Sequence, residues 1–130
     1  MTKPIILSVL LWLFIYPLHA QTAAPISFVH IGLDEGLSQS TVFDIAQDKY
    51  DNMWFATYNG LNKYDGYTFT VYQHNEKDPL SLGCDIVRSL KTDDQGRIWV
   101  GTYEGLSLYD SDKECFQNFQ YTKEGKNMPV

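Results

Sequence analysis

The fold prediction rests on Met53-Trp54-Phe55-Ala56-Thr57-Tyr58-Asn59-Gly60-Leu61-Asn62-Lys63-Tyr64-Asp65, because this stretch recurs 45 residues later. The second copy reads Ile98-Trp99-Val100-Gly101-Thr102-Tyr103-Glu104-Gly105-Leu106-Ser107-Leu108-Tyr109-Asp110. The same spacing relates upstream pairs, namely Asp48 and Asp93, Val42 and Val87, and Leu37 and Leu82. A fixed period of about 40–50 residues built from short strands predicts propeller blades.

Each copy reads as four antiparallel strands separated by tight turns. The first blade spans 37–73, with strands at 41–47, 53–57, 61–64 and 67–72. The second spans 86–120, with strands at 86–92, 97–102, 106–109 and 115–120. Residues 74–85 are predicted to cross from one blade to the next, and 121–130 to begin another connection. The predicted fold is all-β: two four-stranded blades of an incomplete β-propeller, preceded by a signal-peptide helix.

Two turn signals support this pattern. Asn59-Gly60 is a hairpin dipeptide between two apolar runs. Asp51 occupies the place that Gly96 takes in the second copy, which predicts a left-handed backbone that Asp tolerates.

Residues 1–20 have the layout of a secretory signal peptide, with Lys3 before an apolar run and cleavage expected between Ala20 and Gln21. Cleavage after Ala23 or Ala24 and retention as a membrane anchor stay open, although the apolar run is shorter than the ~20 residues that span a bilayer. Residues 21–36 form a lead-in, with an orphan strand near 28–31 that would complete the last blade of a closed ring.

Composition limits the function. Hydrophobic residues make up 44% of the chain, which is enough for an ordinary core. The net charge is −6 and Lys and Arg do not cluster, which argues against nucleic acid and anionic membrane surfaces as partners. Cys84 and Cys115 fit no metal-ligand spacing, so neither a metal site nor a cofactor is predicted; a disulfide and two free thiols both remain possible.

No catalytic residues are predicted for this segment. The sequence has no nucleophile elbow, zinc-binding helix or phosphate loop. The carboxylates that could lie near the ring axis or the blade ends have no reactive partner at the repeat spacing; they are Asp34, Glu35, Asp44 and Asp85. The stretch 92–99 resembles the Asp-box turn of sialidase propellers, which implies a structural role for Asp93.

The two copies, together with the lead-in Gly36-Leu37-Ser38-Gln39-Ser40-Thr41-Val42, resemble the two-component regulator propeller repeat. The likeness covers roughly residues 28–119. It implies the amino-terminal part of the periplasmic sensor of a hybrid two-component histidine kinase. It further implies an oligosaccharide ligand, further propeller blades, a homodimer and anchorage of the full-length protein in the inner membrane. The family's kinase domain has no counterpart in this sequence.

Positions that correspond in the two copies provide two sets of candidate site residues. The first is expected to hold the blades together: Trp54, Thr57, Gly60, Leu61, Tyr64, Asp65, Trp99, Thr102, Gly105, Leu106, Tyr109 and Asp110. The second lies at hairpin ends and is the candidate ligand-facing set: Tyr58, Asn59, Tyr103 and Glu104. Structural packing is the alternative for the tyrosines.

Two other functions remain open from sequence. The chain could be the opening part of a secreted propeller enzyme acting on glycans, or a stand-alone repeat protein that associates with itself. Two blades by themselves leave an apolar face open on each side, so residues 21–130 alone are expected to be poorly soluble or oligomeric.

Overall fold

A computed structural model of the chain describes residues 25–121 and 127–129. Besides strands, it contains one 3₁₀ turn at Leu33–Glu35. The predicted signal peptide and its cleavage site at Ala20 and Gln21 lie outside these described residues. Within them, no helix has the length and apolar character needed to cross a membrane.

The first sheet has four antiparallel strands in chain order. They are β1 (Val42–Gln47), β2 (Met53–Thr57), β3 (Gly60–Tyr64) and β4 (Phe69–Tyr72). Alternating apolar residues and tight turns explain the meander, because each turn is too short for any other connection. The predicted first blade is therefore present, with strand ends within two residues of those expected.

The second sheet repeats this order and adds a strand. It contains β5 (Val87–Thr92), β6 (Ile98–Thr102), β7 (Gly105–Asp110), β8 (Cys115–Tyr121) and β9 (Asn127–Pro129). The prediction of a plain connection after residue 120 is corrected here, because β9 pairs antiparallel with β8. The unpaired backbone edge of β8 accounts for the addition, since such an edge accepts a further strand.

The orphan strand expected near residues 28–31 is not formed in this structure. Residues 25–31 have no regular secondary structure, and the Phe28 side chain is 92% exposed. A strand needs a partner for its backbone groups. The partner predicted for this one was the last blade of a ring, which is not among the described residues.

The core lies where the two sheets face each other. Trp54, Ala56 and Leu61 of the first sheet are fully buried against the second. The second sheet contributes buried side chains from β5 to β8: Val87, Leu90, Ile98, Val100, Tyr109 and Phe116. Burial of these apolar groups is what holds one blade against the next.

The turn geometry follows the sequence signals with one shift. Asp51 has a left-handed φ of 66°, close to the 74° of Gly96, as predicted. Thr57 pairs with Gly60, so the β2–β3 loop residues are Tyr58 and Asn59, and Gly60 starts the next strand with a φ of 97°. The predicted all-β fold of two antiparallel blades is confirmed. Of the two alternatives for Cys84 and Cys115, the structure has free thiols.

Candidate functional site at the crossing-loop end

The β2–β3 and β6–β7 turns lie at the same end of the blades as the connection between β4 and β5. The backbone N–H of Gly60 donates to the Asp85 carbonyl at 2.8 Å, and the N–H of Tyr103 donates to the Ile86 carbonyl at 2.9 Å. Two consecutive residues of the connection therefore hold the two turns. We call this region the crossing-loop end; it contains all four candidate ligand-facing residues.

Tyr58 is part of an aromatic cluster that joins the two blades. Its ring meets Phe43 of β1 edge to face, with centroids 4.5 Å apart. The Arg88 guanidinium of β5 lies 4.9 Å from each of these two ring centroids. Tyr58 remains 43% exposed. The structure thus gives it a packing role and an accessible face at once.

Asn59 is less available than its position in the turn suggests. Its amide nitrogen donates to the Ser38 carbonyl at 3.3 Å, and its amide oxygen accepts from Gln73 at 2.9 Å. Both ends of the side-chain amide are therefore used within the first blade. Ligand contact by Asn59 stays a prediction. These two hydrogen bonds make that contact harder, because they already occupy the side-chain amide.

Tyr103 and Glu104 occupy the equivalent turn of the second blade. Tyr103 is 73% exposed, and Glu104 borders a cavity of about 130 Å³. The cavity lies between the crossing connection and β7 and β8, with His74 and Asn118 in its lining. His74 Nδ1 bonds the Leu82 carbonyl at 2.9 Å, and because a carbonyl can only accept, Nδ1 carries the proton.

Buried polar side chains attach the lead-in of each blade to its third strand. In the first blade, Asn62 accepts from the Ser38 N–H at 2.8 Å and donates to the Ser38 hydroxyl at 2.8 Å. In the second, Ser107 accepts from the Gly83 N–H at 3.3 Å and bonds the Asn118 amide oxygen of β8 at 2.6 Å, and Asn118 donates to the Ser81 carbonyl at 2.9 Å. Sequence reasoning missed these anchors. The polar residues Asn62 and Ser107, 45 residues apart at the same place in the third strand of each blade, were the available signal.

Two equivalent aspartates organise the turns at the opposite end. Asp48 accepts from the indole N–H of Trp54 at 2.8 Å, and Asp93 from that of Trp99 at 3.0 Å. Burial raises the pKa of Asp48, but hydrogen bonds from Asn52, Trp54 and nearby backbone N–H groups outweigh it, so the pKa lies below its ordinary value. The pKa of Asp93 is lowered in the same way. These carboxylates are structural, as the Asp-box likeness implies.

Several of the predicted blade-structural residues stabilise turns through hydrogen bonds. The Thr57 and Thr102 hydroxyls donate to the Gly60 and Gly105 carbonyls at 2.8 and 3.0 Å. Further such contacts come from Tyr64, which donates to the Gly66 carbonyl, Asp65, which accepts from the Tyr67 and Thr68 N–H groups, and Asp110, which accepts from those of Asp112 and Lys113. Leu61 is buried, whereas Leu106 is 38% exposed.

Trp54 and Trp99 occupy the same strand position but different surroundings. Trp54 lies 4.7 Å from Tyr109 of the second blade and is fully buried. Trp99 is only partly buried, on the face of the second blade that points away from the first. Neither indole is displayed at the crossing-loop end.

The described residues include charged and aromatic side chains. They contain no group of three or more His, Cys, Asp or Glu side chains arranged to hold a metal ion. At the crossing-loop end they present aromatic, amide, guanidinium and carboxylate groups, all of which can contact a polar ligand.

Comparison with known proteins agrees with this architecture. Residues 36–59 and 81–104 match the profile of the family described as two component regulator propeller. A stretch of 48 residues is 52% identical to histidine kinase P4 of Formosa agariphila. That stretch is 37% of this chain and 4% of the relative.

Two solved structures similar to this chain are extracellular domains of hybrid two component systems from B. thetaiotaomicron. The BT3049 domain is 31% identical, with a TM-score of 0.69 over 77% of this chain and 14% of that chain. The BT4673 domain is 17% identical, with a TM-score of 0.56 over 81% of this chain and 18% of that chain. The chain therefore spans a small part of each protein it matches.

Proposed function

Because this chain carries two repeats of the two-component regulator propeller family, we propose that it is part of the extracytoplasmic ligand sensor of a hybrid two-component receptor. The observation that carries the proposal is the 31% identity and TM-score of 0.69 to the extracellular domain of BT3049. The family matches fall on 36–59 and 81–104, each of which ends in a candidate ligand-facing turn. The ligand we propose is an oligosaccharide.

The proposed location is the periplasm, with the complete receptor anchored in the inner membrane and dimeric. Two features support this: the solved relatives are extracellular domains, and residues 1–20 have the layout of an export signal. Sensing would then proceed by a population shift, in which ligand binds one arrangement of the receptor more tightly than another. The two blades contribute binding surface to that equilibrium and perform no chemistry themselves.

The experiment measures transcription from the receptor's target promoter in cells given single oligosaccharides. The variant is Tyr103→Ala at the crossing-loop end, and the matched control is Tyr67→Ala, whose side chain is 91% exposed in the turn at the opposite end. Loss of an exposed aromatic contact should raise the half-maximal ligand concentration roughly tenfold or more in the first variant alone. Equal responses of both variants would contradict sensing at the crossing-loop end. The absence of any oligosaccharide response in the wild type would contradict the proposed ligand class.

A further inference from the structure

The innermost strand of each blade carries a β-bulge at the same place in the repeat. The β1–β2 register shifts between Val42 and Asp44, and the β5–β6 register shifts between Val87 and Ser89. The extra residues are Phe43 and Arg88, which are 45 positions apart. A bulge redirects a side chain out of the regular alternation and is common beside binding sites.

The two bulge residues meet at the boundary between the blades. The Arg88 guanidinium lies against Phe43 and Tyr58, 4.9 Å from each ring centroid. Because the rings come from the first blade and the guanidinium from the second, the cluster exists only when the blades are packed together. Two aromatic contacts hold the cation in place before any ligand arrives.

The side-chain hydrogen-bonding groups of this cluster, the Arg88 guanidinium and the Tyr58 hydroxyl, have no protein partners in the described part of the chain. The ion pairs found there belong to Arg97 and Lys113, not to Arg88. Asp44, the carboxylate next to the first bulge, accepts from the N–H groups of Ile45 and Leu90, at 2.9 and 2.7 Å. The Arg88 side chain is exposed and offers its planar set of donors to solvent.

We infer that Arg88, Phe43 and Tyr58 form a subsite for an oxyanion carried by a sugar, either a carboxylate or a sulfate ester. A guanidinium presents parallel N–H donors that fit such an oxyanion with two hydrogen bonds. The exposed Tyr58 ring supplies an apolar face beside it for the sugar ring. This inference deepens the proposed oligosaccharide function and rests on it.

The test is a titration of the purified full chain, observed through the Nε–H resonance of Arg88 and by calorimetry. The probes are tetragalacturonate, which carries carboxylates, a sulfated galactan tetrasaccharide, and uncharged maltotetraose. The Arg88 resonance should move with at least one acidic probe and not with maltotetraose. The acidic probe that moves it identifies the oxyanion.

The variants separate charge from position. Arg88→Gln should weaken binding of the acidic probe roughly tenfold or more, as expected for loss of a charged hydrogen-bond donor. Lys91→Gln removes the same charge from an exposed position on the same strand and should change binding by less than about twofold. Arg88→Lys, which keeps the charge and loses the planar fork, should lie between them.

Three outcomes would overturn the subsite. The Arg88 resonance could stay unmoved with both acidic probes, which needs no variant and so holds even if Arg88→Gln fails to fold. Arg88→Gln could bind as well as Lys91→Gln. The purified chain could also bind maltotetraose at Arg88 as tightly as the acidic probes. A receptor that responds in cells to neutral oligosaccharides only would remove this subsite and leave the proposed sensor function intact.

Discussion

Gly60 and Gly66 have nearly the same backbone angle, with φ of 97° and 98°, but different surroundings. A Cβ at Gly60 would lie 2.4 Å from the Tyr72 carbonyl oxygen, whereas one at Gly66 would meet nothing within 4 Å. Gly105 repeats the Gly60 situation, with the Phe119 carbonyl at 2.4 Å. In the β2–β3 turn and the equivalent β6–β7 turn, glycine is thus required both by the backbone conformation and because a side chain would have no room.

This pair gives the first prediction. Gly66→Ala should lower the free energy of unfolding by about 1 kcal/mol, the cost of the left-handed backbone alone. Gly60→Ala should cost at least about 2 kcal/mol more, because strand β4 must also move away from the new methyl group. Urea denaturation of the two variants measures the difference. Equal losses would mean that the approach of the Tyr72 carbonyl is not tight.

Asp48 and Asp93 lead to a prediction about acid. Each has its pKa held below the ordinary carboxyl value of 3.8 in the folded chain. Between the folded and the unfolded pKa values, the unfolded chain binds more protons than the folded chain. The stability that these two carboxylates contribute is therefore present above about pH 4 and is lost as the pH falls through the folded pKa. Thermal melts from pH 7 to pH 2.5 should show this fall.

The matched variants are Asp93→Asn and Asp94→Asn. Asp93→Asn should be less stable than the wild type at pH 7 and should lose less on acidification, because the indole of Trp99 and the backbone N–H groups no longer face a carboxylate. Asp94 is an exposed neighbour in the same turn, so Asp94→Asn should keep the wild-type acid profile. A wild-type profile in Asp93→Asn would show that the acid loss arises elsewhere.

At the scale of elements, Tyr72 of β4 and Tyr109 of β7 join the blades by a hydroxyl–hydroxyl hydrogen bond of 2.9 Å. Burial raises the pKa of Tyr72, and burial together with the bond to Tyr72 raises that of Tyr109, so both remain protonated at neutral pH. The pair therefore consists of one hydroxyl that donates and one that accepts.

The third prediction is a double-mutant cycle on this pair. Tyr72→Phe and Tyr109→Phe should each cost about 1 kcal/mol, because each leaves the partner hydroxyl without its hydrogen bond. The double variant should cost little more than either single one, giving a coupling of roughly 0.5–1.5 kcal/mol in denaturation experiments. Strict additivity would mean that the two hydroxyls do not interact in solution.

The elements differ in how far the sequence could predict them. The strands of both blades follow from alternating apolar residues and turn signals, and the left-handed turn at Asp51 follows from its equivalence to Gly96. The bulges at Phe43 and Arg88 could not be predicted, because nothing in a single strand's pattern shows an extra residue relative to its partner. Strand β9 was missed for a related reason: its residues pair only because β8 offers an edge.

At the scale of the whole molecule, the two tryptophans act as an internal comparison. Trp54 stacks near Tyr72 and contacts Tyr109 of the second blade, whereas the aromatic partner of Trp99 among the described residues is Phe119 of its own blade, with ring centroids 5.9 Å apart. The surroundings of Trp54 thus show which aromatic contacts a further blade would add around Trp99.

The fourth prediction follows. Trp54→Ala should cost about 3–5 kcal/mol, as for a fully buried aromatic side chain. Trp99→Ala should cost clearly less in the 130-residue chain, because part of the ring already faces water. In a longer receptor in which another blade covers this face, the two costs should become equal. Calorimetric melts of both proteins decide this, and equal costs in the short chain would contradict the partial exposure of Trp99.

The turn at residues 111–114 gives the second blade two more residues between paired positions than the first has, since Tyr64 faces Phe69 while Tyr109 faces Phe116. The two extra residues lie in the turn, and the pairing of β7 with β8 keeps a continuous register. Because the turn lies away from Tyr58 and Tyr103, a fluorescent dye or epitope inserted there would report on the molecule without covering the surface that ligands are proposed to touch.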